Sequence, residues 1–142
     1  MNDTRHIQAY KQSEVGTASK MRLVIMMYDG VIRFLNECKI KIKEGDIAGR
    51  GLYISKAQKI INELQESVNR QKGGEVAENL ERLYSFIMSN LTNANIQGDT
   101  SLIDQSIRVL KNLRDAWQKV MSSDENYKGK TAPKMQKFAM HL

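Results

Sequence analysis

Apolar residues recur along most of this chain at spacings of three and four, the period of one helix face and not the alternation of a strand. In the first such stretch they fall at Val24, Met27, Tyr28, Val31, Phe34, Leu35, Cys38 and Ile42. The pattern predicts a helix from about Ser19 to Glu44, with Ser19 offering a side-chain cap to its first turn. Lys39, Lys41 and Lys43 fall in the last turns, where cations complement the helix dipole, and Gly45 can take the left-handed conformation that ends the helix. Asp46 offers the next N-cap, before a second stripe of Ile47, Ile54, Ala57, Ile61, Leu64 and Val68. Gly49 and Gly51 weaken its first turns, each by about 1 kcal/mol relative to alanine.

Gly73 and Gly74 predict a break, and Val76, Leu80, Leu83, Tyr84, Ile87, Leu91 and Ala94 make a third stripe. Gly98 closes that helix, and Asp99 or Thr100 caps a fourth carrying Leu102, Ile103, Ile107, Leu110, Leu113, Trp117, Val120 and Met121. At roughly 1.5 Å per residue, each helix is about 33–39 Å long. Matched helices with very short connections must run antiparallel to their neighbours, so the fold class is all-α, an up-down-up-down four-helix bundle over residues 19–122. Residues 1–18 are expected to form a short N-terminal segment packing on the bundle, and residues 123–142 a mobile polar tail with an amphipathic stretch at its end made by Met135, Phe138, Ala139 and Leu142.

A chain of 142 residues fits a single domain, and one cysteine excludes an intramolecular disulfide. The first residues lack the apolar core of a signal peptide, and no run approaches the roughly 20 apolar residues of a membrane span. A soluble, cytoplasmic protein without stable membrane insertion is expected. The net charge of +6 admits an acidic partner or nucleic acid without choosing between them. The cations are dispersed and the aromatics sit mostly on the apolar stripes, so no base-stacking platform is visible and no nucleic-acid partner is expected.

Candidate chemistry is sparse. His6 and His141 lie near the two ends, whereas a metal site in a bundle needs histidines within the helices, so no metal and no cofactor are expected. Cys38 falls on an apolar stripe with no helical histidine to activate it. Gly73-Gly74 lacks the spacing and the Lys-Ser/Thr ending of a phosphate loop. No catalytic constellation emerges. The informative excess is apolar: Leu23 to Tyr28 is an unbroken run that wraps more than one helix face. Either the N-terminal segment covers the surplus, through Ile7 and Tyr10, or a partner's amphipathic helix lies in a groove there. Met26, Met27 and Met88 suit an adaptable lining.

Several short pieces, in order, resemble the flagellar secretion chaperone family that binds flagellin (FliS). They are Ala9-Tyr10, Ala18-Ser19 leading into Leu23, Met27-Tyr28-Asp29-Gly30, the run Lys56 to Leu64, and Val68-Asn69. Gly73-Gly74, Asn79-Leu80, Leu83-Tyr84, Ala94-Asn95, Asp99-Thr100 and Arg114-Asp115-Ala116-Trp117 complete the series. Ser19-Lys20-Met21 stands where the family often has Ser-Pro-Glu, which weakens that cap by about 0.5–1 kcal/mol. The tail after Ser122 matches nothing in the family pattern.

The resemblance implies a non-enzymatic helical bundle that binds the disordered C-terminal region of flagellin. It would prevent premature polymerisation and escort the cargo to the flagellar type III export gate, with a co-chaperone or regulatory protein as a further partner. Carried over position by position, it implies Ile7 and Tyr10 as a displaceable cover. Tyr28, Gly30, Leu64, Val68, Leu80, Tyr84, Ile87 and Trp117 would form the partner-binding groove, with ordinary core packing as the competing role of each apolar residue. A helical adaptor for another flagellar or regulatory protein is the alternative, then a nucleic-acid-binding bundle, then an enzyme.

Overall fold

In a computed structural model of the chain, residues 16–68 and 70–126 are described. Four helices account for nearly all of them: α1 (Thr17–Glu44), α2 (Ile47–Ser67), α3 (Arg70–Gln97) and α4 (Thr100–Asn126). Each packs on two others, α1 on α2 and α4, and α3 on α2 and α4, so α1 and α3 face each other across the core diagonal. Partners rise in number along one helix as they fall along the next. Gly30 meets Ile60, while Cys38 meets the Arg50 carbonyl. This is the antiparallel four-helix bundle that the periodicity predicts.

The connections are made by the expected residues. Gly45 has φ 74°, and the amides of Gly45 and Asp46 donate to the Ile42 and Lys41 carbonyls, satisfying groups that the end of α1 leaves free. Asp46 caps α2 by accepting the Gly49 amide at 2.8 Å. Gly98, with φ 66°, ends α3, and Asp99 Oδ1 accepts both the amide and the hydroxyl of Ser101 in the first turn of α4. Those bonds hold the Asp99 carboxyl below its ordinary pKa.

Four boundaries and positions differ from the sequence expectation. α1 starts at Thr17 behind Gly16, with no side-chain cap, because neither Thr17 nor Ala18 resists helical geometry. Ser19 therefore lies inside the helix. The α2–α3 break comes at Val68, which is extended, and Gly74 (φ 57°, ψ −131°) kinks α3 one turn after its start. α4 runs on to Asn126, since a polar stretch without Gly or Pro does not stop a helix. Ile47 points to solvent at 68 % exposure, because the first residue of α2 lies beyond the end of the core. The remaining stripe residues are buried or half-buried.

Candidate functional site

Of the residues expected to meet a partner, Ile7 and Tyr10 lie outside the described residues. Tyr28, Tyr84, Trp117, Leu64, Leu80 and Ile87 are all buried to 3 % exposure or less. In this state they form the interior. Gly30 is buried too, and a Cβ there would stand 3.3 Å from Ile60 Cδ1, so the glycine admits a side chain of α2. Val68 is half-buried at the end of α2 and helps line an open groove of about 460 Å³ with Asn62, Gln65, Glu66, Glu81 and Ser85.

The three buried aromatic residues meet. Trp117 Nε1 of α4 donates to the Tyr28 hydroxyl of α1 at 2.9 Å, and that hydroxyl lies 2.6 Å from the Tyr84 hydroxyl of α3. The Tyr28 and Tyr84 rings are tilted with centroids 6.5 Å apart. The chain of bonds spans the diagonal that no backbone contact bridges, so it sets the separation of α1 and α3 by side-chain length. Burial pushes the Tyr28 hydroxyl up to about 12, against the opposing effect of its bonds to Tyr84 and Trp117. Burial likewise raises Tyr84, and the neighbouring Tyr28 adds to the rise. Both hydroxyls are therefore neutral donors and acceptors at physiological pH.

The surface carries the apolar excess. Met26, Ile40, Ile47, Leu52, Phe86 and Ile96 are large apolar side chains between 45 % and 73 % exposed. Leu102, Val109 and Leu113 of α4 are half-buried against the core. Of the run Leu23 to Tyr28, only Met26 is exposed. The sequence pattern did not single out Phe86 or Leu52, and Phe86 adjoins the true stripe residue Ile87. A wheel count placing Phe86 about 100° from Ile87 would have flagged it.

Among the described residues no group of three His, Cys, Asp or Glu side chains could hold a metal ion. Burial pushes the Cys38 thiol up, and its Sγ donates to the Arg50 carbonyl at 3.7 Å. Arg50 in turn donates from Nη2 to the Asn95 carbonyl at 2.7 Å, so a side chain of α2 covers the carbonyl end of α3. Among the described residues, no helix is long and apolar enough to cross a membrane.

A core closed around the Trp117–Tyr28–Tyr84 bonds, under partly uncovered apolar helix faces, is that of a helical-bundle binding protein. Residues 3–124 match the family model described as "Flagellar protein FliS". The chain is 32% identical over 124 residues to the flagellar secretion chaperone FliS of Campylobacter jejuni, covering 87% of this chain and 97% of that one. It is 34% identical over 119 residues to that of Salmonella typhimurium, covering 80% and 88%. Identity is 30% over 116 residues with that of Bacillus subtilis, covering 82% and 86%. The chain belongs to the FliS family.

Proposed function

We propose that this protein is the export chaperone of a flagellin. It binds the disordered C-terminal region of that cargo in the cytoplasm, keeps it from polymerising, and delivers it to the flagellar type III export gate. A co-chaperone or regulatory protein docks on the same bundle. The observation that carries this reading is the family match over nearly all of the bundle, with relatives named as flagellar secretion chaperones. The uncovered apolar faces support it physically, because a segment that folds on binding needs apolar area to offset its ordering cost of about 2–5 kcal/mol or more.

Ile7 and Tyr10 act in this reading as the displaceable cover. Val68 meets cargo at the rim of its groove. Tyr28, Gly30, Leu64, Leu80, Tyr84, Ile87 and Trp117 act from the interior, fixing the spacing of the helices whose outer faces the cargo follows.

Titration calorimetry with a peptide spanning a flagellin C-terminal region tests the reading. Saturable one-to-one binding, a negative heat-capacity change and weak salt dependence are expected. No binding by the intact, helical protein would leave an adaptor for another flagellar or regulatory protein.

A further inference from the structure

The seam between α1 and α2 gathers half-buried aromatic side chains and exposed cations at one place. Phe34 of α1 and Tyr53 of α2 pair across it, with ring centroids 6.1 Å apart at 38°. Two cations converge on this pair. The Arg33 guanidinium lies 5.5 Å from the Phe34 centroid, and Lys56 Nζ lies 5.4 Å from that centroid and 5.7 Å from the Tyr53 centroid. Arg33 and Lys56 are both exposed. The cations on the other long seam are neutralised within the fold: Lys39 pairs with Asp104, and Arg114 with Asp29. Among the described residues Arg33 and Lys56 have no carboxylate partner. Two like charges are thus gathered at one aromatic pair and left uncompensated.

One turn along α1, Gly30 removes a side chain from the same seam and leaves Ile60 half-buried beside it. The result is an apolar and aromatic strip flanked by two unpaired cations. From this juxtaposition we infer that the α1–α2 seam is a second docking surface, for an acidic amphipathic helix of a protein partner. Its apolar face would lie over Phe34, Tyr53 and Ile60, and its carboxylates would meet Arg33 and Lys56. Charge complementarity selects that occupant. A nucleic-acid backbone needs a run of cations along successive phosphates, whereas here Glu37 follows Arg33 by one helical turn and interrupts the positive charge along α1.

The test uses the full-length, isotope-labelled protein and a capped synthetic helical peptide with leucines on one face, glutamates four residues apart beside them, and no basic residue. Saturable amide shifts concentrated on Arg33, Phe34, Tyr53 and Lys56 are expected. The double variant R33Q/K56Q should weaken the peptide about fivefold or more, in line with the loss of two charge pairs. R108Q/K111Q makes the same charge change at exposed positions of α4 and should leave the affinity unaltered. Both pairs are on the surface, so circular dichroism should find both variants folded. Equal weakening by the two variants would overturn the proposal, since binding would then follow net charge alone. So would the absence of shifts at the seam, or displacement of the peptide from it by an oligodeoxynucleotide of equal charge.

Discussion

Tyr28 stands between two hydrogen-bonding partners, so its hydroxyl does more than that of Tyr84. Tyr28→Phe removes the hydroxyl to which the buried Trp117 indole N–H donates and is expected to cost about 1–3 kcal/mol. Tyr84→Phe keeps the Trp117–Tyr28 bond and should cost about 0.5–1.5 kcal/mol. Urea denaturation of the two variants gives the order directly, and a larger loss for Tyr84→Phe would contradict it. The same pair predicts a dependence on pH. An unfolded tyrosine ionises near 10, while folded Tyr28 holds its proton to about 12. The folded state binds that proton more tightly, so the stabilisation is fully present below pH 10 and is lost as pH rises towards 12. About 2–3 kcal/mol should disappear over that window, and the Tyr28→Phe/Tyr84→Phe double variant should show a much shallower fall.

Glycines decide most at the scale of the helices, and they do so in opposite directions. At Gly98 the left-handed φ of 66° already disfavours a side chain, and a Cβ would stand 2.7 Å from Arg50 Nη1. Gly98→Ala should therefore displace Arg50 from the Asn95 carbonyl and lose about 2 kcal/mol or more. Gly51 has helical geometry, and a Cβ there would meet Asn95 Oδ1 at 3.7 Å, an ordinary contact. Gly51→Ala should raise stability by about 0.5–1 kcal/mol. Thermal unfolding of the two variants should thus move the midpoint in opposite senses. The helices and most of their stops are legible from spacing and caps, as at Gly45, Asp46 and Gly98. The start of α1 and the end of α4 are not. Residues such as Thr17 and Ser123 are compatible with helix or coil, and local propensity differences of a few tenths of a kcal/mol do not choose between them.

At the scale of the molecule, the first and last of the described helices are tied by ion pairs between distant parts of the chain, Asp29 with Arg114 and Lys39 with Asp104. Both are partly exposed, so a double-mutant cycle on Asp29→Asn and Arg114→Gln should give a coupling of about 0.3–1 kcal/mol that shrinks at high salt. A coupling unaffected by salt would mean the pair acts by packing and not by charge. This scale also explains the divided fate of the expected groove residues. Periodicity identifies a residue as apolar-facing, but an inward stripe and a groove share that signature. Tyr28, Tyr84 and Trp117 turn inward because three helices converge on them, and that convergence depends on contacts between α1, α3 and α4 that no local segment contains.

By itself the sequence determined the number of helices, their antiparallel order, most of the core and the family, because each follows from local periodicity, short connections or an ordered series of motifs. Only the tertiary structure decided which apolar residues are left uncovered, such as Phe86 and Leu52, and which polar groups meet inside, as in the Trp117–Tyr28–Tyr84 chain. It also decided that Arg33 and Lys56 converge on one aromatic pair while Arg114 and Lys39 find carboxylates. The physical reason is common to all three. Burial and pairing depend on the rotation of each helix about its axis and on its register against its neighbours, which are set by packing the four helices together.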